Sequence, residues 1–267
     1  YPNPAASPYS GQGNHSLSIA DVDADGKDEI VYGAMVVDDD GKGLFSTGLR
    51  HGDALHAGDL DPARPGLEVF GIHENEEATI ALKTPGAALY DARTGQILWS
   101  LLPGGDVGRG LAADIDPRHR GAEFWTNAGA GLIDVRGERM GEAPPSANFA
   151  VWWDADPLRE LLDGNWIAKW DWKSSALVRL LTASEAASNN GSKATPALAA
   201  DILGDWREEV IWRADDNESL RIYTTTIPAA DRLHTLMHDP QYRMAIAWQN
   251  VGYNQPPHPS FFIGDGM

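Results

Sequence analysis

Five short acidic segments, spaced along the chain at similar intervals, constrain its fold more than any other feature. They read ADVDADGKDEIVYG (20–33), GDLDPARPGLEVFG (58–71), ADIDPRHRGAEFWT (113–126), WDADPLRELLDG (153–164) and ADILGDWREEVIWR (200–213). Each passes through Asp, an apolar or small residue and, in the first four, a second Asp, then turns into an acid and a short apolar run. The leading aspartates are Asp21, Asp59, Asp114, Asp154 and Asp201, with steps of 38, 55, 40 and 47 and a mean of 45. A period of about 40–50 residues in a chain of short strands is that of a propeller blade. The rival reading is an irregular β-sandwich with chance acidic turns, which five copies disfavour.

The rest of the chain agrees with an all-β class. Gly (28) and Pro (17) punctuate it throughout, and the apolar runs between them are four to six residues long, such as EIVY, LEVFG, ILWSL, EVIWR and MAIAWQ. Short runs bounded by turn residues read as strands. Residues 157–162 (PLRELL) read as a brief helix. No interdomain linker is visible, so residues 1–267 are expected to form a single propeller domain of five to six blades.

Lys and Arg number 21 against 39 Asp and Glu, a net charge of −18. A nucleic-acid backbone or an anionic membrane surface requires a basic face, so both are excluded as main partners. No apolar run approaches the roughly 20 residues of a membrane helix. There is no cysteine, which removes disulfides, zinc–thiolate sites and thiol catalysis. Zero cysteine fits a secreted, extracellular protein. A chain that begins at Tyr1 is expected to be a processed form or a fragment.

The first acidic segment is the sharpest. Asp21, Asp23, Asp25 and Glu29 alternate around a Gly turn, and oxygens so placed converge on a point that suits a hard cation. With strands rather than helices on either side, this is expected to be a structural calcium turn. Asp59, Asp61 and Glu68, and Asp114, Asp116 and Glu123, repeat the spacing with fewer oxygens. For these two segments calcium and a plain Asx turn both stay open. The fourth and fifth segments favour the plain turn. Each bound Ca²⁺ would offset two of the eighteen excess negative charges and so admit an acidic substrate.

Potential ligands are densest between residues 11 and 74. His15 follows Gly-Asn, His51-Gly-Asp53 leads to His56, and His73 precedes Glu74. These positions fall just before acidic turns, near the starts of successive strands, so His and carboxylate from neighbouring blades can meet near a central channel. Such a set suits a divalent ion; a structural role for each His is the alternative. Residues 188–195 (SNNGSKAT) combine amides, hydroxyls and Lys193 in a pattern that fits sugar and carboxylate binding, or simply a turn-rich loop. Arg109 stands between two glycines, as a guanidinium held against a ligand or as a surface turn. The stretch 250–258 adds Tyr253 among amides. Trp152, Trp153, Trp166, Trp170 and Trp172 read as blade core or as a sugar platform. No Gly-x-Ser-x-Gly elbow, P-loop or dinucleotide fingerprint is present, while a two-carboxylate glycosidase stays open.

The runs GQGNHSLSIADVDADGKDEIVYGAM, GLRHGDALHAGDLDP, DVGRGLAADIDP, FAVWWDAD, NNGSKATPALAADILGDWREEVIWR and HDPQYRMAIAWQNVGYNQPPHPSFFIGDG together closely resemble the rhamnogalacturonan lyases of polysaccharide lyase family 11. The likeness covers almost the whole chain. It implies an eight-bladed propeller with several bound Ca²⁺ ions, secretion, and β-elimination in the rhamnogalacturonan I backbone of pectin.

By motif it implies a site metal, calcium or another divalent cation, on His15, His51, Asp53 and Glu74. It places Arg109, Asn190, Gly191, Ser192, Lys193 and Tyr253 around the substrate; Lys193 or Arg109 could then serve as base, and because lysine is the easier to deprotonate the reading favours Lys193, with Arg109 on the substrate carboxylate. A family member is about twice this length, so the chain resembles the C-terminal portion. Its missing N-terminal blades, or self-association, are then expected to complete the ring. The rival from another class is a calcium-stabilised propeller that binds pectin or a protein partner without cleaving it.

Overall fold

The computed structural model describes residues 7–74, 84–101 and 106–267. Within them the chain forms five four-stranded sheets, with all strand pairings antiparallel. The first sheet holds β1 (Ser18–Ala20), β2 (Glu29–Val31), β3 (Met35–Val37) and β4 (Gly43–Ser46). The second holds β5 (Gly52–Gly58), β6 (Glu68–His73), β7 (Ala87–Asp91) and β8 (Ile97–Leu101). The third holds β9 (Gly110–Ala113), β10 (Glu123–Thr126), β11 (Gly129–Ile133) and β12 (Arg139–Gly141). The fourth holds β13 (Phe149–Val151), β14 (Glu160–Asp163), β15 (Trp166–Asp171) and β16 (Ala176–Thr182). In the fifth, β19 (Glu209–Ala214) pairs with β18 (Leu198–Ala200) and the short β17 (Ala186–Ala187) on one edge and with β20 (Leu220–Tyr223) on the other.

Burial falls from the first strand of each sheet to the last. All seven residues of β5 and all four of β9 are buried, whereas β4, β12 and β16 carry no buried residue. Their composition explains this: β5 (GDALHAG) and β9 (GLAA) are built of small residues that let neighbouring backbones approach. Consecutive sheets pack face to face. Val31 and Val36 meet Val69 and Tyr90, and Phe70 and Leu89 meet Phe124 and Ile133. Trp125 and Leu111 meet Leu161 and Trp170, and Phe149 and Ile167 meet Val210 and Trp212. Five sheets thus share four inter-sheet cores.

The outward faces of the first and last sheets are apolar and open. On the first, the cross-strand row Ile19, Ile30 and Val37 leaves Ile30 42% exposed. On the last, Ile211 and Ile222 pair, and Leu220 and Ile222 are 65% and 63% exposed.

The α-helix among the described residues, α1 (Pro240–Trp248), lies between these two ends and touches both β1 and β18. Asp239 caps it by accepting the Tyr242 N–H, and Pro240 takes its first position, where no N–H is needed. The tail after α1 ties the sheets together. Gln249 exchanges two hydrogen bonds with Ala199, Asn254 donates to the Pro196 carbonyl, and the Pro257 carbonyl accepts from Arg159. His56 Nε2 donates to the Gly110 carbonyl, so its Nδ1 accepts from His258 Nε2 at 3.0 Å. Burial depresses both rings, His56 to about 3, and the pair is neutral.

The repeated acid has one structural job in all five sheets. Glu29, Glu68, Glu123, Glu160 and Glu209 each open the second strand and turn one carboxylate oxygen back to backbone N–H groups of the preceding loop. All five are 0–1% exposed. This role overrides the helical reading of 157–162: Glu160 heads a strand that pairs with both β13 and β15. The segment is buried on every side, Arg159 included, so its apolar spacing did not mark a helix.

Candidate functional site

The two ends of the innermost strands carry different chemistry. The acidic loops follow β1, β5, β9, β13 and β18, while His15, His51, Asp53, Arg109 and the loop 190–193 stand before these strands or at their starts, joined by Glu74 just after β6 and by Tyr253 from the tail. At that end the backbone brings the first two sheets together. His15 N–H donates to the Gly52 carbonyl, Asn14 and Gly52 form a parallel bridge, and Glu74 N–H donates to the His51 carbonyl. A Cβ on Gly52 would lie 2.0 Å from the Ile72 carbonyl oxygen on the neighbouring strand β6 and 3.0 Å from Asn14 Nδ2, so only glycine fits between the two.

The result is one group of four ligand atoms. His15, His51, Asp53 and Glu74 each offer one, all within 4.8 Å of one another. The two imidazole Nε2 atoms are 3.3 Å apart, His15 Nε2 is 3.6 Å from Asp53 Oδ1, and His51 Nε2 is 3.6 Å from Glu74 Oε1. Two imidazole nitrogens and two carboxylate oxygens turned on one point fit a divalent cation in number and in chemistry.

Lys193 and Tyr253 complete the cluster. Lys193 Nζ is 2.6 Å from Asp53 Oδ2 and 4.4 Å from the centre of the Tyr253 ring. Tyr253 lies 4.6 Å from the His15 ring, and its N–H donates to the His15 carbonyl. Gly252 permits that bond: its φ is +71°, and a Cβ there would sit 1.8 Å from the His15 carbonyl oxygen. Lys193 ends a single turn of 3₁₀ helix, Gly191–Lys193, flanked by Asn190 and Ala194 in the left-handed region. Ala194 at φ 47° stores strain of order 1 kcal/mol or more, as functional loops often do. Asn190 and Ser192 are exposed beside it, and Asn190 donates to Thr195 Oγ1.

Arg109 stands apart from this solvent-facing group. It is 2% exposed, and its Nη2 donates to the carbonyls of Asn148 and Asn254. Burial pulls the guanidinium down to about 10, with Asp53, Asp163 and Tyr253 opposing. It therefore braces the loop of Tyr253 from below, and it is not presented to a substrate carboxylate as expected. Asn148, which the sequence reading missed, donates through Nδ2 to Asp163 and to the Ser192 carbonyl. It pins the Lys193 loop to the fourth sheet.

The acidic loops divide. Asp21, Asp23 and Glu29 gather ligand atoms within 4.8 Å, and so do Glu29, Asp38 and Asp39. Asp25 turns away, its Oδ1 accepting from Lys27 N–H. Asp38 and Asp39 were also missed; they belong to the DDD run on the β3–β4 hairpin. Among the described residues Asp59, Asp61 and Glu68 form no such group, nor do Asp114, Asp116 and Glu123. Asp59 and Asp114 accept from the Phe262 and Asp265 N–H groups of the tail, and Asp116 pairs with Arg118. Burial raises Glu68 to about 7 and Asp114 to about 8, and lifts Glu123 well above the carboxylate range.

The tryptophans resolve toward packing. Trp152, Trp153 and Trp170 are buried, and Trp166 and Trp172 are half-buried beneath Arg179 and Arg118.

Comparison with known proteins bears on all of this. A profile of the C-terminal domain of rhamnogalacturonan lyase family 11 matches residues 2–267. The chain is 62% identical over 260 residues to rhamnogalacturonan endolyase YesW of Bacillus subtilis (strain 168), covering 97% of this chain and 41% of that protein. It is 55% identical over 280 aligned residues to rhamnogalacturonan exolyase YesX of the same organism, covering 99% of this chain and 45% of that protein. The crystal structure of YesW superposes with a TM-score of 0.92 over 97% of this chain and 43% of that one. The chain thus spans less than half the length of these relatives.

Proposed function

The chain belongs to rhamnogalacturonan lyase family 11, and from that premise we propose that its site cleaves the rhamnogalacturonan I backbone of pectin by β-elimination at galacturonate. The observation that carries the reading is the meeting of His15, His51, Asp53 and Glu74 with Lys193 and Tyr253 at one end of the inner strands. A divalent cation on those four ligands would supply positive charge against the galacturonate carboxylate.

The residues of the chain do the rest. Lys193, as the free amine, takes the C5 proton. The electron pair forms the C4–C5 double bond, the C4–O bond to rhamnose breaks, and the leaving oxygen takes a proton from water. Asp53 Oδ2, at 2.6 Å, then holds the resulting ammonium. Tyr253 offers a ring face beside it, and the exposed amide and hydroxyl of Asn190 and Ser192 donate to sugar oxygens. Arg109 and Asn148 hold these loops in place.

Further features support the wider reading. Five sheets stacked through four cores, with apolar open faces at Ile30 and at Leu220 and Ile222, fit consecutive blades of one propeller domain. The relatives' additional length would supply the blades that cover those faces. The Asp21, Asp23 and Glu29 group fits a structural Ca²⁺. A polymeric substrate places the protein outside the cell.

The test is Lys193→Ala and, separately, His51→Ala, assayed on rhamnogalacturonan I. Both are expected to abolish formation of the unsaturated uronate, and only His51→Ala should lower site-metal affinity. Turnover retained in Lys193→Ala would remove it from the role of base. A parent protein that binds the polymer without producing the chromophore would favour a binding propeller.

A further inference from the structure

The five glutamates that open the second strands are equivalent in position, but their surroundings are not. Each uses one oxygen on its own loop, and its second oxygen faces the strand across the hairpin. One step beyond the Ile30–Val37 pair, Glu29 faces Asp38. Glu68 pairs with Asp91. One step beyond Leu161–Ala168, Glu160 faces Lys169, and Thr224 Oγ1 donates to Glu209 Oε1.

The first and fourth loops are otherwise alike. Asp154, Asp156 and Glu160 form a three-ligand group just as Asp21, Asp23 and Glu29 do. In the first loop Glu29 Oε1 is buried without a hydrogen-bond partner. In the fourth, Lys169 Nζ stands among the three carboxylates, 2.7 Å from Asp154 Oδ2, 2.8 Å from Asp156 Oδ1 and 2.7 Å from Glu160 Oε1. An ammonium has three N–H donors, and all three are used here.

We propose that Lys169 is a tethered cation that occupies, in the fourth loop, the position a divalent ion takes in the first. The fourth sheet is then closed without metal, and the loop is a latent divalent-cation site that appears when the lysine charge is removed. The comparison rests on calcium binding by the first loop; the test does not, because it reads the difference between two proteins.

Lys169→Met keeps the alkyl stem against the sheet and deletes the charge. Bound calcium, counted after equilibration with excess Ca²⁺ and desalting, should rise by one per chain over the parent. Lys169→Met with Asp156→Asn should lose that additional ion. An unchanged count in folded Lys169→Met would overturn the proposal. So that the result does not hang on that variant folding, Asp156→Asn is also made in the parent, where Asp156 is half exposed. Its calcium count should equal the parent's, and a loss of one ion would overturn the proposal by placing calcium in the fourth loop already. Should the parent bind no calcium at all, the reading of the first loop fails, while a gain from zero to one in Lys169→Met still upholds the role of Lys169.

Discussion

Lys193 Nζ and Asp53 Oδ2 lie 2.6 Å apart although the residues are 140 positions apart in the chain. Asp53 turns its other oxygen toward His15, so a single carboxylate links the Lys193 amine to the ligand group. Asp53→Asn keeps the shape and removes the charge. It is expected to lower kcat by about 10²–10⁴-fold, the range for losing one acid–base partner, and to weaken site-metal binding as well. Initial-rate kinetics on rhamnogalacturonan I, with metal content measured on the same samples, check both effects.

Arg109 acts through the backbone it holds. Arg109→Met would leave the Asn148 and Asn254 carbonyls without their donor, at a cost of about 1–3 kcal/mol for each buried group so stranded. Urea unfolding should show a loss of that order. Activity should fall as Tyr253 and the Lys193 loop lose their brace. A variant as stable as the parent would contradict the bracing role.

Glu209 isolates the structural job of the repeated acid, because its second oxygen is taken by Thr224 and among the described residues it belongs to no group of three possible metal ligands. Glu209→Ala removes the acceptor of the Leu203 N–H and one of two acceptors of the Ile202 N–H, whose other partner is the Ala200 carbonyl, and should cost about 1–3 kcal/mol. Glu209→Gln keeps one acceptor oxygen and should cost less. Equal losses in chemical denaturation would mean that the charge, and not the acceptor, matters.

The buried carboxyls should give the metal-free protein a stability that depends on pH. Burial raises Glu68 to about 7 and Asp114 to about 8 in the folded chain. An acid raised by folding binds its proton more tightly when folded. Its stabilisation is complete below the unfolded value, near 4, and is lost as pH climbs through the folded value. The buried rings of His56, His73 and His258 are depressed, so they act in the opposite sense and only below about pH 6.5. Between pH 6.5 and 8 the carboxyls act alone. The thermal midpoint of the chelated protein should therefore fall across that window, as unfolding free energy is lost at up to about 1.4 kcal/mol per pH unit for each proton released. A flat or rising profile there would contradict these assignments.

Much of this was legible because the chemistry is local. The acidic segments recur within a dozen residues each, and His15, His51 and Glu74 advertise themselves beside glycine, amide or histidine. What was not legible depends on partners brought from other strands. Lys169 is an unremarkable lysine in WIAKWD until the hairpin sets it across from Glu160. Asn148 has no local pattern, and its partners Asp163 and Ser192 come from other parts of the chain. Arg109 looked like a displayed guanidinium because it lies between glycines, yet its side chain is buried against the Asn148 and Asn254 carbonyls, which come from distant parts of the chain. The segment 157–162 mimicked a helix because residues buried on all sides carry no periodicity that separates helix from strand.

The central claim is a metal-dependent lyase centre built on His15, His51, Asp53, Glu74 and Lys193. Its most direct test follows the ultraviolet absorbance of the unsaturated uronate when the protein meets rhamnogalacturonan I, before and after chelation and again after Ca²⁺ is restored. The account predicts a rise that chelation stops and added divalent cation recovers. A rise unaffected by chelation, in protein verified to be free of metal, would contradict it. So would no rise at all in folded, calcium-loaded protein that carries the relatives' additional length.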